Sequence, residues 1–332
     1  MVLMPERDQR RSGDAESDAL RRVSLGRELQ RALTGGELQL AYQPVVNMVD
    51  GAVCGVEALL RWEHPHLGLM WPGEFLDAVQ GTDLGTQLLR WVMKEALGHA
   101  AGWRTRFPDH PIWVSVNVVG HDFVSEGLLS DVAEILQANQ LDPGALALEV
   151  KERDVFDDPD GLVRERLDTI KASGIGVLVD DFGNAHAALM TALEAWPPNV
   201  MKVYPGFVSQ VATEAYEATV ASMNTLRDWP IDVLKLDRSL LDRLFTDQGA
   251  EPLVDGLVRL ARSLGLRTLA TSIESPSEAR QLYHLGCDMA QGYYFHRPQT
   301  PEYVDVLLAE QDHDASNPAG VADDPALEAR NA

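Results

Sequence analysis

The sequence predicts an α/β fold. The expected architecture is a modified (β/α)8 barrel of the TIM type, with an antiparallel first strand hairpin and a duplicated helix–strand unit. Three observations predict it. Apolar strand-like stretches alternate with helix-like stretches through nearly the whole chain. A Val49-Asp50-Gly51 turn joins the first two strand-like stretches, as a hairpin requires. A 17-residue segment also recurs at an offset of 33 residues.

The elements follow in order. Residues 1–16 are polar and are expected to be disordered. Residues 17–34 carry apolar positions at helical spacing and read as a lead-in helix. The spacing predicts strands at 37–46, 52–62, 111–119, 145–150, 175–182, 199–203, 231–237, 266–273 and 289–295. Helices are expected between most of them, among others at 86–104, 127–138, 160–173, 185–195, 214–227 and 252–264. Residues 311–332 read as an acidic, disordered tail, so the folded domain is expected over 17–310. The repeat pairs ALMTALEAWPPNVMKVY (188–204) with ASMNTLRDWPIDVLKLD (221–237), with seven identities that include a Trp-Pro pair. It reads as a local duplication that adds residues 203–235. An eight-stranded barrel has no slot for a ninth unit, so one copy is expected to be displaced outward or remodelled.

Composition narrows the function. The 332-residue chain is 45% apolar, enough for a large core, and its formal net charge is −23. That charge argues against a nucleic-acid polymer or an anionic membrane as partner. An anionic ligand would need a local cation to hold it. Cys54 and Cys287 form no Cys-x-x-Cys pair, which fits a reducing, cytoplasmic compartment. The N-terminus is too charged to read as a signal peptide, and with no apolar run of about 20 residues no membrane span is expected.

Polar residues recur where apolar strands end. They are Glu57, Asn117, Glu149, the adjacent Asp180 and Asp181, Lys235 and Gln291. A carboxylate in an apolar strand is costly unless it is paired or bound to a cation. Strand C-terminal ends are where barrels assemble their sites. Several carboxylates and an amide, without histidine, suit Mg²⁺ or Mn²⁺ better than zinc. Two such ions suit phosphoester hydrolysis. Each residue also has a plainer reading. Glu57 can pair with Arg61, Asn117 can be a satisfied core amide, the Asp pair can cap a helix, and Lys235 can snorkel. A glycoside hydrolase could also use two barrel carboxylates, but it needs neither the Asn nor the Lys.

The motifs resemble those of the EAL family. AYQPVV, Glu57-Ala58-Leu59 followed by LRWEHP, VSVNVV, LEVKE, DDFG, DVLKLDRSL and MAQGYYFHRP appear in the family's order over roughly 18–305. The resemblance implies a modified barrel that hydrolyses cyclic di-GMP to linear pGpG with Mg²⁺ or Mn²⁺. It implies that Glu57, Asn117, Glu149 and Asp180 hold a first metal, and Asp180 and Asp181 a second. Lys235 is implied to orient or activate the attacking water, and Glu152 to steady the loop after the Asp pair. Arg61, Gln291 and Gln43 are implied on the ligand side. A homodimer is a further implication, and a protein partner of unknown kind remains open.

Three departures bear on turnover. The family's Ala-Glu-Gly-Val-Glu reads Ala270-Thr271-Ser272-Ile273-Glu274, so a second-metal glutamate is replaced by Thr271. In a continuing strand, Glu274 would face away from the site. The loop Asp-Asp-Phe-Gly-Thr-Gly-Tyr-Ser-Ser reads with Asn184, Ala185, His186, Ala187 and Ala188 at its end. The duplication also supplies two candidate lysines, Lys202 and Lys235, of which only Lys235 keeps the Lys-x-Asp pattern, with Asp237. The preferred reading is a degenerate cyclic di-GMP-binding regulator with weak or no hydrolysis. An active phosphodiesterase and a nucleotide-free interaction scaffold are the alternatives.

Overall fold

A computed structural model of the protein describes residues 7–118, 127–151, 162–180, 200–203, 233–236 and 267–316, with Asp122 and a few single positions between 238 and 262. Among the described residues, ten strands form one sheet. They are β1 (Leu38–Asn47), β2 (Val53–His64), β3 (Gly68–Met70), β4 (Trp113–Val118), β5 (Leu146–Lys151), β6 (Gly176–Asp180), β7 (Val200–Val203), β8 (Val233–Leu236), β9 (Arg267–Ala270) and β10 (Met289–Ala290). Neighbours from β2 through β4 to β10 run parallel. β1 pairs antiparallel with both β2 and β10 and so closes the ring. β3 folds back on the far end of β2 and stays outside the ring. The hairpin, the parallel run and the closure are those of a TIM-like barrel.

The ring has nine strands, one more than expected, because both copies of the repeat lie inside it. β7 and β8 are neighbours, in register from Val200↔Val233 to Val203↔Leu236. The expectation that one copy is pushed outward is corrected. Each copy finds a ladder partner on both sides, whereas an expelled strand would leave its backbone groups unpaired. An extra strand widens a barrel and leaves its topology intact.

Strand parity sorts the side chains. One face of the strands carries Val56, Ala58, Val114, Val116, Leu146, Leu148, Leu236, Ala270 and Ala290, all within the main core. The lead-in helix adds Leu25, Leu29 and Ala32 to that core, and helix Asp83–Arg106 adds Met93, Leu97 and Trp103. Residues of opposite parity face the lumen. There Val45, Val233, Leu269 and Met289 form a separate buried cluster with Cys54 and Trp113 packed against it. Two residues further along these strands, the lumen face becomes polar.

Several boundaries differ from the expected ones. The lead-in helix spans Arg7–Gly35 and so begins before residue 17. Helix Pro301–Ser316 runs past 310. Gln311 brackets the start of β2, accepting from Val53 N at 2.7 Å and donating to Val53 O at 3.4 Å. Residues 311–316 therefore belong to the fold, because burial of Val304, Leu307 and Leu308 docks the helix that carries them. The strand expected to reach 295 ends at Ala290, and Tyr293–Phe295 form a turn. The helices expected at 185–195 and 214–227 lie outside the described residues.

Gly55 shows how tightly the lumen floor is packed. A Cβ there would lie 2.2–2.6 Å from the Trp113 indole. Gly55→Ala is expected to cost about 1–3 kcal/mol of stability. Urea unfolding would show a lower midpoint at unchanged slope. An unchanged midpoint would contradict this contact.

Candidate functional site

The polar lumen layer arises from strand parity. Two residues after apolar or small lumen positions come Glu57 (from Gly55), Asn117 (from Ser115), Glu149 (from Ala147), Lys235 (from Val233) and Gln291 (from Met289). On antiparallel β1 the same step runs backwards, from Val45 to Gln43, which pairs in register with Glu57. The sequence-predicted residues on β1, β2, β4, β5, β8 and the turn after β10 thus share one end of one barrel.

Two contacts organise them. The Glu57 carboxylate is clamped by two amides. Asn117 Nδ2 donates to Oε1 at 2.8 Å and Gln291 Nε2 donates to Oε2 at 3.1 Å. The clamp ties β2 to β4 and to the segment after β10. The plainer pairing of Glu57 with Arg61 is not what forms, and Asn117 lies exposed at the mouth rather than in the core. The second contact is an ion pair from Lys235 Nζ to Glu149 Oε1, at 2.7 Å, with the side chains only 3% and 1% exposed. Lys235 is therefore an inward-facing cation and does not snorkel.

Thr271 is buried, and its hydroxyl donates to Leu236 O at 3.1 Å, the carbonyl that also accepts from Thr271 N. The hydroxyl is folded back on the end of β8. β9 stops at Ala270, and Ser272 has φ +60°. The expectation that Glu274 faces away because the strand continues is corrected in its reason. The strand has ended, and the left-handed turn at Ser272 leaves Glu274 exposed. That turn is fixed against the next segment. Ile273 N donates to Gln291 O at 3.1 Å, and Tyr294 N donates to Ile273 O at 2.9 Å. Gly292 is required there, since a Cβ would lie 2.1 Å from Ile273 O. Sequence reasoning missed this clasp. Its signal was a serine where the family has glycine, the residue that accepts positive φ without strain.

Arg61 lies four residues beyond Glu57 on the same strand face. Its Nη1 donates to Leu60 O at 2.8 Å, and its guanidinium sits 3.9 Å from the centre of the Trp71 ring. Burial pulls Arg61 below the usual guanidinium range, while Tyr293 and Glu57 nearby counter that shift.

The backbone of Asp180 ends β6 opposite Lys151. Lys202 pairs in register with Lys235. The side chains of both, and all of Glu152, Asp181, Asp237 and the loop through His186, lie outside the described residues. Among the described residues no group of three or more His, Cys, Asp or Glu side chains is arranged to hold a metal ion. The described part of the set is Glu57, Asn117 and Glu149. All offer oxygen, and the Asn117 carbonyl makes no hydrogen bond among the described residues. Such donors suit a hard divalent cation.

The sequence profile of the EAL domain matches residues 26–223 and again 209–298. The chain belongs to the EAL domain family. The two matches overlap at 209–223, between the two copies of the repeat strand. The chain is 31% identical over 310 residues to the bifunctional diguanylate cyclase/cyclic di-GMP phosphodiesterase MucR of Pseudomonas aeruginosa, covering 91% of this chain and 40% of MucR. It thus spans about two-fifths of that relative's length. An uncharacterized protein of Mycobacterium tuberculosis is 31% identical over 287 residues, 85% of this chain and 82% of that protein. Among solved structures, the PaMucR phosphodiesterase in complex with c-di-GMP superposes with a TM-score of 0.66 at 31% identity, over 85% of this chain and 99% of that one. Among the described residues no helix is long and apolar enough to cross a membrane.

Two outcomes follow from the EAL site geometry. Lys235→Met removes the cation paired with the buried Glu149 carboxylate and is expected to cost about 3–5 kcal/mol, most of it recovered by adding Glu149→Gln. Additive losses in denaturant unfolding would contradict the pair. Ser272→Gly relieves a left-handed residue and is expected to raise stability by about 1 kcal/mol. A loss would mean that the serine side chain contributes more than its backbone strain costs.

Proposed function

We propose that this EAL domain binds cyclic di-GMP and hydrolyses it weakly or not at all, so that it works as a nucleotide-responsive regulator. The observation that carries this reading is Thr271. It stands where the family places a glutamate, and its hydroxyl is spent on the Leu236 carbonyl. The rest of the set remains. Glu57, Asn117, Glu149 and Asp180 would hold one Mg²⁺ or Mn²⁺, and Asp180 and Asp181 would hold a second more weakly. Such ions would neutralise phosphate charge and lower the pKa of a bound water.

The chain's own residues have distinct tasks in this reading. Asn117 and Gln291 fix the orientation of the Glu57 carboxylate. Lys235, held by Glu149, keeps a positive charge in the polar layer of the lumen, where a water or a phosphate oxygen would approach. Arg61 offers its guanidinium to a phosphate, and Gln43 lies beside Glu57 on the ligand side. Glu152 would steady the loop that follows the Asp pair. Losing a supporting group around a metal costs about 10–100-fold in affinity or activity, and losing a direct ligand should cost more. Binding shared by ground state and transition state survives such a loss, whereas turnover does not.

An active phosphodiesterase is the second reading, favoured by the intact clamp on Glu57 and by MucR, whose name carries that activity. The test is release of pGpG with Mg²⁺ or Mn²⁺. The wild type is expected to turn over slowly or not at all, and Thr271→Glu to raise the rate by about 10-fold or more. Rapid wild-type hydrolysis would overturn the regulator reading in favour of the enzyme.

A further inference from the structure

Trp71 is a large apolar side chain, yet it is 49% exposed. It stands where β3 gives way to the short helix Pro72–Phe75. Its backbone is held from several directions. Pro72 restricts the residue before it. Trp71 N donates to Glu74 Oε2 at 2.7 Å, and Glu74 N donates to Trp71 O at 2.9 Å. The preceding Met70 is buried and pairs in register with Trp62.

Arg61 lies against one face of the indole, 3.9 Å from the ring centre, and is itself only 5% exposed. The indole therefore roofs the arginine, and its accessible area is turned away from that cation. Arg61 shares a strand face with Glu57, so the roof lies at the rim of the site. Leu67 and Leu69 nearby are also exposed, at 60% and 51%. They are aliphatic and present no flat ring. A rigid aromatic face at a site rim, with a guanidinium beneath it, suits a ligand that combines a flat π-system with a phosphate. Such a face loses little entropy on binding, because it is already in place.

We propose that the open face of Trp71 is the stacking platform for one guanine base of the bound dinucleotide, with Arg61 beneath it drawing in the adjacent phosphate. Trp71 is then a specificity-determining residue. It favours a large flat base over a bare sugar phosphate. This proposal rests on the cyclic di-GMP reading above.

The test is titration of cyclic di-GMP, with Ca²⁺ present, into the wild type and four variants, followed by calorimetry and tryptophan fluorescence. Base–aromatic stacking predicts that Trp71→Ala weakens binding about 10-fold. Trp71→Leu, which keeps a cover over Arg61 but has no ring, is expected to fall with it. Trp71→Phe should stay within about threefold of wild type, while losing most of the fluorescence quenching that ligand causes. Leu69→Ala should bind as wild type does. Wild-type affinity in Trp71→Leu would overturn the stacking role and leave the cyclic di-GMP reading standing. Absence of binding by the wild type would overturn both.

Discussion

Among the described residues, the closed barrel depends on the buried ion pair between Lys235 and Glu149. Both charges have left water almost completely. Either one alone would be prohibitive in the lumen, so the two must be brought together for the sheet to close around them. They come from β5 and β8, with β6 and β7 between them in the ring. The pair therefore fixes β8, the second copy of the repeated strand, against the opposite side of the lumen. A chain with an extra strand could shift its register by one unit and present Lys202 in place of Lys235. The ion pair, together with the two hydrogen bonds from Thr271 to Leu236 O at the end of β8, holds Lys235 at the lumen.

Much of this was legible in the sequence because strands alternate faces. Glu57, Asn117, Glu149, Lys235 and Gln291 each stand two positions from an apolar or small residue, and that alternation alone predicts a common lumen face. The antiparallel hairpin was legible from its turn. What stayed hidden was non-local. Parity places Glu57 and Arg61 on one face, but only the folded ring shows that amides from two other segments reach Glu57 first. The repeat was visible as a repeat. Its place in the sheet was not, since that depends on whether β6 and β9 can each pair with a different copy. Ser272 looked like an ordinary strand residue, and its positive φ follows from the clasp with Gln291 and Tyr294. Exposure of Trp71 had no periodic signature at all.

Thr271 and Ser272 together show how a site of this kind can keep its shape while losing a charge. The segment still docks on the Gln291–Tyr294 turn, because that docking uses backbone groups and the absence of a Cβ at Gly292. The threonine hydroxyl satisfies itself on Leu236 O instead of facing the lumen with a carboxylate. The framework that would receive a nucleotide is thus independent of the carboxylate that Thr271 replaces in the proposed regulator. In the proposed reading, that separation would let an enzyme scaffold serve as a receptor without refolding, with the clamp on Glu57 and the Lys235–Glu149 pair intact beside the substitution.

Every role proposed for this barrel requires the nucleotide to occupy the lumen. The most direct measurement is equilibrium dialysis of labelled cyclic di-GMP against the purified protein in Ca²⁺, with Glu57→Ala as the matched control. Saturable binding at micromolar ligand or below is expected, lost in Glu57→Ala although that variant remains folded. No retention by the wild type, or equal retention by both proteins, would contradict it. The barrel would then be a scaffold whose carboxylates no longer serve a nucleotide.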